Sequence, residues 1–185
     1  MSKLYMLARY FAVGLLVVFF RTSAAQAGDN SFETYGDIAS YGIPAAAAAL
    51  SASKTDYEGL LQLGLTFGAS LGATMLLKHT IKSTRPNGGL HSFPSGHTSR
   101  AFAGASYLHY RYGLEYGLPA YALAFAVGYS RVESDNHHWH DVIAGAVLGH
   151  LTALLITDRY ASSVTLNTFL DGKDGTYGVA ASFRF

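Results

Sequence analysis

Long uncharged runs separated by short polar segments make up most of the chain. Four of these runs contain 14 to 19 residues, lengths that favour helices over strands. A loop rich in glycine and proline at residues 84–95 precedes a further helical segment. The pattern therefore predicts five helices, at residues 38–53, 59–77, 97–112, 116–129 and 142–157. Residues 28–35 are predicted to be a polar lead-in, which puts Pro44 near the first turn of the first helix.

Glycines recur every four residues in the second run, at Gly64, Gly68 and Gly72, and again at Gly145 and Gly149. Small residues at this spacing allow two helices to approach closely, in membranes especially. An ordinary buried helix in a compact bundle explains the pattern equally well. The uncharged runs are at or below the roughly 20 residues that usually span a bilayer. We therefore predict a helical bundle that lies in or on a membrane.

Residues 1–27 have the organisation of a secretory signal peptide. Lys3 and Arg9 come first, an apolar stretch of 11 residues follows, and an A-x-A cleavage site ends at Ala27. The apolar stretch is too short to span a bilayer unaided. We expect an exported protein of the bacterial periplasm or of the cell envelope membrane. The alternative is an uncleaved anchor that begins near Leu4.

Residues 161–185 follow a different pattern. Apolar side chains alternate with small and polar ones from Tyr177 to Phe185, after a cluster of turn residues between Asp171 and Gly175. Such alternation of apolar with polar or small residues is typical of a β-strand, in which every second side chain points to the same face. We predict a β-hairpin that packs on the bundle or pairs with another chain.

The composition narrows the possible functions. Half of the residues are hydrophobic, 14% are charged, the formal net charge is +1 and there is no cysteine. Disulfides and thiolate metal sites are therefore excluded. The near-neutral charge argues against a surface that binds nucleic acid.

Three separated motifs carry groups suited to an anion: K-x6-R-P at residues 78–86, P-S-G-H at residues 94–97, and S-R-x5-H-x3-D at residues 130–141. Lys78, Arg85 and Arg131 supply positive charge, and the planar arginine fork matches phosphate oxygens. Ser95 offers a hydroxyl. Gly96 stands at the start of a predicted helix, whose N-terminal amides attract anions. These groups predict a site that handles phosphate.

The two motif histidines suit two different tasks in phosphoryl transfer. One imidazole can attack phosphorus while the other protonates the leaving oxygen. Asp141 lies four residues after His137, one helical turn away, where it can hold the second ring nitrogen.

The three motifs, matched at every position and in this order, resemble the type 2 phosphatidic acid phosphatase (PAP2) superfamily. That superfamily also includes bacterial acid phosphatases and vanadium haloperoxidases. The motifs span residues 78–141, about a third of the chain. The resemblance implies a mainly α fold, with a PAP2-type helical bundle at residues 28–160 ahead of the short C-terminal β-hairpin. It also implies a phosphatase that needs no metal and no cofactor.

The resemblance further implies a role for each motif residue. His137 is the nucleophile and forms a phosphohistidine, Asp141 orients it, and His97 is the general acid. The substrate phosphate is bound by the remaining motif residues: Lys78, Arg85, Ser95, Gly96 and Arg131.

Substrates implied by the family are phosphate monoesters or pyrophosphates. The apolar helices favour membrane lipids among them, such as phosphatidate, phosphatidylglycerophosphate, polyprenyl pyrophosphate or the phosphates of lipid A. We expect a phosphorylated lipid or a small phosphomonoester as partner, together with membrane contact and no nucleic acid. The alternatives are a soluble broad-range acid phosphatase, a vanadate-dependent haloperoxidase and a non-catalytic envelope protein.

Other polar residues near the motifs have less specific interpretations. We expect His138 and His140 to line the pocket or to form hydrogen bonds in the loop. The alternative is a metal site in which they converge with His137 and Asp135.

Further charged residues and histidines outside the motifs are weaker candidates for the site. Glu133, like Asp135, is either a partner of Arg131 or a solvated acid of the loop. His91 lies in the glycine-rich loop, where it could touch substrate. His109 and His150 fall on helices and are predicted to be structural.

Overall fold

The computed structural model describes the backbone of residues 29–160, 164–171 and 176–183, and the side chains of residues 31–160. The described residues contain five helices: α1 Asp29–Ser53, α2 Tyr57–Thr80, α3 Gly96–Tyr112, α4 Leu114–Glu133 and α5 Trp139–Ile156. The mainly helical fold and the loop before α3 are thus confirmed. The predicted signal peptide at residues 1–27 lies outside the described residues.

Helix α1 begins nine residues earlier than predicted, at Asp29. The prediction of a polar lead-in was wrong for residues 29–35, and Pro44 lies inside the helix. The early turns are held by tertiary contacts, because the carbonyl oxygen of Glu33 and the carboxylate of Asp37 both accept hydrogen bonds from Arg131. A helix stabilised in this way needs no apolar stripe, which is why the hydrophobic pattern missed it.

Helix α3 lies at the centre of the bundle and contacts the other four helices. Every residue from 101 to 108 is buried. Several of these residues are small, which lets the neighbouring backbones come close. At Gly104, an added Cβ would lie 2.8 Å from the backbone nitrogen of Pro44, so α1 crosses α3 in direct contact there.

The two glycine patterns have opposite environments. An added Cβ at Gly145 would lie 2.5 Å from the carbonyl oxygen of Ser95, and one at Gly149 would lie 2.3 Å from the carbonyl oxygen of Ser99. The spacing in α5 therefore does allow close contact with α3. The three glycines of α2 are exposed, and no atom of the described chain lies within 4 Å of an added Cβ: Gly64, Gly68 and Gly72.

The buried face of α2 is largely polar. The hydroxyl oxygens of Ser70 and Thr74 lie 2.7 and 2.9 Å from that of Ser99 on α3, and Thr66 lies 3.3 Å from Thr157 beyond α5. Hydrogen bonds thus join α2 to its neighbours along most of its buried face, and Leu63 adds an apolar contact with the core.

The outer surfaces of α2 and α5 are apolar. Large exposed hydrophobic side chains occur along both helices: Leu61, Leu65, Met75, Leu76, Ile143, Val147, Leu151, Leu154 and Leu155. Both helices are long and apolar enough to cross a membrane. Polar contacts between helices together with an apolar exterior are typical of helices in lipid, because lipid gives apolar groups no reason to turn inward.

After the helices, β1 Val164–Asp171 and β2 Thr176–Phe183 pair antiparallel. Val164 is opposite Phe183, and Asp171 is opposite Thr176. Both strands fall inside the region predicted as a hairpin. Their side chains lie outside the described residues, so docking on the bundle or on another chain stays a prediction.

A buried ion pair joins α2 to α3 at the end of α2 that is farther from Lys78. Asp56 caps α2 by accepting from the backbone N–H of Gly59. It also accepts from Nε of Arg111 at 2.8 Å and from the hydroxyl of Tyr112 at 2.7 Å. Burial alone would raise the pKa of Asp56, but the hydrogen bonds from Arg111 and Tyr112 outweigh it and lower the pKa to about 2.

Replacing Asp56 with asparagine should lower the free energy of unfolding by about 3 kcal/mol, because Arg111 would remain buried without its counter-charge. Because the folded pKa is depressed, the contribution of Asp56 is present above pH 3.8 and is lost as the pH falls toward 2. Thermal unfolding followed by circular dichroism measures the change. Glu58→Gln is the matched control, since its exposed carboxylate lies 3.9 Å from Arg111. Equal stability of the two variants would contradict this account.

Candidate active site

The three motif segments meet at one end of the bundle. Lys78 lies in the last turn of α2 and Arg131 in the last turn of α4. His97 and Asp141 lie in the first turns of α3 and α5. The backbone N–H of Ser95 donates to the carbonyl oxygen of Asp141 at 2.9 Å, which ties the second motif to the third.

His137 is buried, and one of its ring nitrogens faces two oxygens. Nδ1 lies 3.5 Å from Oδ2 of Asp141 and 3.4 Å from the hydroxyl of Ser92. The Ser92 hydroxyl donates to the same Asp141 oxygen at 2.5 Å, as does the backbone N–H of His138 at 2.9 Å. Because Nδ1 is turned toward Asp141, Nε2 is the nitrogen that can meet a ligand.

Ser92 was missed by the sequence analysis because it occupies no motif position. It is fully buried, and its place in the loop follows from two neighbouring contacts. Nζ of Lys78 donates to the carbonyl oxygen of His91 at 2.8 Å, and Nδ1 of His91 lies 2.9 Å from the carbonyl oxygen of Lys78. A hydroxyl residue just ahead of P-S-G-H was the available signal. His91 was considered as a possible substrate contact, but its Nδ1 lies against the carbonyl oxygen of Lys78.

His97 pairs with a carboxylate that no motif contains. Its Nε2 lies 3.1 Å from Oδ1 of Asp37 on α1. The same oxygen accepts a hydrogen bond from Nη1 of Arg131 at 2.7 Å. Arg131 is buried and also donates to the hydroxyl of Ser130 and to the carbonyl oxygen of Glu33. A single carboxylate oxygen therefore connects the second and third motifs.

Of the two interpretations of Glu133 and Asp135, that of solvated loop acids agrees with the structure, because Asp37 is the carboxylate that pairs with Arg131. Both residues are exposed. The backbone of Asp135 has a φ of 53°, and its carbonyl oxygen accepts from the N–H of Asn87. The loop folds back at this point, since the backbone N–H groups of Asn136 and His137 both donate to the carbonyl oxygen of Arg131 at 3.0 Å.

Further cations surround the two histidines. An added Cβ at Gly96 would lie 3.7 Å from Nη1 of Arg100 and 3.9 Å from Cε of Lys78, so both side chains approach the start of α3. Nε of Arg85 is buried, and no group in the described part of the chain accepts a hydrogen bond from it. Arg100, which the sequence analysis did not single out, lies over the ring of Tyr41 at 4.2 Å. A buried unpaired donor near a helix N-terminus suits an anion.

Ser95 is buried at the N-cap of α3. Its hydroxyl oxygen accepts from the N–H of Thr98 at 3.4 Å and from the Thr98 hydroxyl at 3.0 Å. Those bonds use the oxygen and leave the hydroxyl hydrogen of Ser95 for another acceptor. Its predicted contact with phosphate is compatible with this capping role.

Burial and nearby charge depress the pKa of His97. Loss of solvation is the main cause, Arg100 and Arg131 add to it, and Asp37 opposes them, so the pKa falls to about 4. The imidazole is therefore neutral at neutral pH while the site holds no ligand. A phosphate dianion would offset the arginines and raise the pKa, so the anion itself would favour protonation of His97.

The pKa of His137 is lowered to about 4 in the same way. Loss of solvation is again the main cause, with Lys78 and Arg85 adding to it and Asp141 opposing them. A neutral imidazole retains a lone pair, which is the state that a nucleophile requires.

The neighbouring histidines form local contacts. Nε2 of His138 lies 3.2 Å from the carbonyl oxygen of Thr84, and the rings of His138 and His140 stack at 5.1 Å. Nε2 of His140 comes within 3.1 Å of Oδ1 of Asp141, but without hydrogen-bond geometry. Within residues 31–160, no three side chains of metal-binding type converge. The expected hydrogen bonding in the loop is confirmed for His138.

Two other histidines are structural, as predicted. His150 lies 3.0 Å from the hydroxyl of Ser106 and 2.9 Å from that of Tyr110. His109 contacts the hydroxyl of Tyr121 at 3.2 Å. These contacts tie α3, α4 and α5 together away from the motif residues.

The model of the PAP2 superfamily matches residues 59–163, which include all three motifs and more than half of the chain. The chain belongs to the PAP2 superfamily. The predicted family and the predicted enzyme class, a PAP2-type phosphatase, are thereby confirmed. Helix α1, which carries Asp37, precedes the matched residues.

Individual relatives agree with this assignment. The chain is 30% identical over 145 residues to lipid A 4′-phosphatase of Helicobacter pylori, an alignment that covers 72% of this chain and 73% of that protein. The fold is similar to the crystal structure of Aquifex aeolicus LpxE, with a TM-score of 0.62, 22% identity, and coverage of 75% and 92% of the two chains. It is also similar to the first transmembrane PAP2-type phosphatidylglycerolphosphate phosphatase structure, from Bacillus subtilis. There the TM-score is 0.50 and the identity 25%, over 78% of this chain and 92% of the other.

In the ligand-free protein, His97 and His137 should both titrate near pH 4. Inorganic phosphate should move the pKa of His97 upward, toward its ordinary value of 6.5. Nuclear magnetic resonance of protein labelled with ¹⁵N in its histidines measures both values, with each signal assigned by a single substitution. Because both folded pKa values are depressed, the unfolded chain binds more protons between pH 6.5 and 4, and stability should fall as the pH drops through that window. A ligand-free pKa near 6.5 for either histidine would contradict the electrostatic account.

Proposed function

We propose that the protein hydrolyses a phosphate monoester or pyrophosphate of a membrane lipid through a phosphohistidine on His137, without a metal ion. The observation that carries the proposal is the arrangement around His137. Its Nδ1 faces Asp141 and Ser92, while Lys78 and Arg85 are close enough to lower its pKa. An oriented neutral imidazole beside cations is what attack on a phosphate requires.

In the first step, the cations, the Ser95 hydroxyl and the Gly96 amide hold the phosphate. Nε2 of His137 attacks phosphorus, and the bond between phosphorus and the leaving oxygen breaks. The electron pair of that bond goes to the leaving oxygen, which takes a proton from His97 and departs as an alcohol. Asp141 stabilises the positive charge that forms on His137.

In the second step, His97 is neutral and accepts a proton from water. The water oxygen attacks phosphorus, the bond between phosphorus and nitrogen breaks, and its electron pair returns to Nε2 of His137. Inorganic phosphate is released, and both imidazoles regain their starting states. The same residue thus acts first as acid and then as base.

The position of the site supports a lipid substrate. Lys78 lies in the last turn of one candidate membrane helix, and Asp141 lies in the first turn of the other. The phosphate site is therefore at an end of both candidate spans, at the level of lipid headgroups. The exposed side chains of Tyr129 and Trp139 lie nearby, with their ring centroids 6.1 Å apart. Aromatic side chains of this kind favour the membrane interface.

An apolar groove next to the site supports the same proposal. It lies between α4 and α5, has a volume of about 230 Å³, and is lined by residues that adjoin the motif: Phe102, Phe125, Gly128, Tyr129, Trp139, Val142, Ile143 and Ala146. The groove suits an acyl chain whose phosphate lies among the cations. The named relatives dephosphorylate different lipids, lipid A and phosphatidylglycerolphosphate. What those substrates share is a phosphate on a lipid, which is the substrate class proposed for this chain.

The proposed location is the cell envelope, with the site on the exported side of the membrane. The basis is the pattern of residues 1–27 and the apolar exterior of α2 and α5.

Purified protein should release phosphate from phosphatidate in detergent micelles in the presence of EDTA. His137→Ala should reduce the rate at least about a thousandfold, because removal of a covalent nucleophile leaves only the binding groups. His79→Asn is the matched control, since His79 is an exposed histidine that contacts only its own helix and the His91 ring among the described residues.

A small soluble phosphomonoester should be turned over at least about tenfold more slowly than the lipid, because it cannot use the groove. Comparable rates would favour the soluble acid phosphatase. Oxidation of bromide by peroxide with added vanadate would favour the haloperoxidase. Phosphate release that survives His137→Ala would disprove the proposed mechanism.

A further inference from the structure

One face of α1 covers the cationic end of the bundle. The face is formed by Glu33, Gly36, Asp37 and Ser40. Glu33, Asp37 and Ser40 are four and three residues apart, the spacing that puts side chains on one side of a helix. An added Cβ at Gly36 would lie 2.4 Å from Nη2 of Arg131, so the guanidinium rests directly on the α1 backbone. This face precedes the residues that match the family model.

The polar groups on this face contact residues of the site or of its loop. The carbonyl oxygen of Glu33 accepts from Arg131, and the Glu33 carboxylate accepts from the side chain of Asn136 at 2.6 Å. The hydroxyl of Ser40 accepts from Nη2 of Arg100 at 3.3 Å. The face is thus built to hold the cations from outside.

Asp37 differs from its neighbours because it reaches a histidine as well. Its Oδ1 lies 3.1 Å from Nε2 of His97 and accepts from Nη1 of Arg131 at 2.7 Å. The side chain is about half exposed, at 53%, whereas Arg131 is 2% exposed. A buried arginine fixes the carboxylate, and the carboxylate in turn fixes the imidazole.

We propose that Asp37 is a positioning residue for His97: it orients the imidazole and supplies the negative charge that stabilises its protonated form. This inference rests on the proposed function, in which His97 gives a proton to the leaving oxygen.

The charges around His97 explain why a carboxylate is needed beside it. The groups acting on its imidazole include Arg100 of its own helix, Arg131 of α4 and Arg85 of the loop, all positive, and Asp37 of α1, which opposes them. Lys78 of α2 and Asp141 of α5 act on the neighbouring His137.

Without Asp37, the protonated imidazole would meet three arginines and no opposing carboxylate among the groups that act on it. The proton that His97 takes up when the phosphate binds would then be harder to hold until the leaving oxygen departs. The leaving oxygen would accordingly receive it less often.

The opposite role would be that of a blocking anion, which occupies Arg131 until phosphate displaces it. A blocking carboxylate and a positioning carboxylate differ in the sign of their effect. Removing a blocker increases turnover, whereas removing a positioning residue decreases it. The geometry favours positioning because the carboxylate contacts the imidazole as well as the arginine.

The test compares Asp37→Asn with Asp37→Glu and with Glu33→Gln. Asparagine keeps the size and an oxygen acceptor for Arg131 but removes the charge, and glutamate restores the charge. Glu33→Gln removes one charge from the same helix face and keeps the acceptor for Asn136. The kcat/KM of each variant is measured with a short-chain phosphatidate and with p-nitrophenyl phosphate.

Asp37→Asn should lower kcat/KM for phosphatidate about tenfold or more, since the alkoxide needs a proton as it leaves. The loss with p-nitrophenyl phosphate should be no more than about threefold, because nitrophenolate leaves without one. Asp37→Glu should restore part of the lost rate, and Glu33→Gln should match the wild type. Equal losses with both substrates, or a gain with either, would overturn the proposal.

A second readout does not depend on turnover. The pKa of His97 in the presence of inorganic phosphate should be lower in Asp37→Asn than in the wild type, while that of His137 should change less. If the wild type hydrolyses neither substrate, the proposed function fails, and this titration alone decides the role of Asp37. An unchanged His97 pKa would refute it.

Discussion

The close contact between α3 and α5 is the constraint on which the site depends. Gly145 and Gly149 leave no room for a Cβ against the carbonyl oxygens of Ser95 and Ser99. Because the two helices touch along their backbones, their N-terminal turns lie side by side. The N–H of Ser95 then reaches the carbonyl oxygen of Asp141. Two motif residues that are 46 positions apart in the chain, Ser95 and Asp141, are held together in this way.

The remaining cations are brought in by polar contacts rather than by an apolar core. Ser70 and Thr74 of α2 meet Ser99 of α3, which carries the last turn of α2, and with it Lys78, to the start of α3. The buried polar groups of α2 must therefore find their hydrogen-bond partners inside the bundle, and the apolar side chains are left on the outside. The same arrangement gives the protein both an apolar exterior and a charged site at its end.

The sequence predicted the motif residues better than it predicted their surroundings. Phosphoryl transfer needs particular residue types at fixed spacing, so the three motifs can be recognised from the chain alone. Asp37 and Ser92 occupy no motif position, so the motifs did not identify them; their partners come close only in the folded chain. The start of α1 was missed for a related reason, since its turns are stabilised by Arg131 rather than by an apolar stripe.

The glycine patterns show the limit of spacing as a signal. Gly145 and Gly149 lie in a helix contact, while Gly64, at the same spacing from Gly68, is exposed. Spacing places small residues on one side of a helix but does not say which side faces a neighbour. Residues 161–185 illustrate the complementary case, because local alternation predicts strands without indicating what they pack against.

The central claim is that His137 carries the phosphoryl group, and trapping that intermediate tests it most directly. The protein would be mixed with radiolabelled lipid phosphate, quenched in base, and mapped by mass spectrometry of its peptides. The account predicts a base-stable, acid-labile phosphoryl group on His137 that disappears in His137→Ala. Label on another residue, or turnover at full rate with no trapped intermediate under any quench, would contradict it.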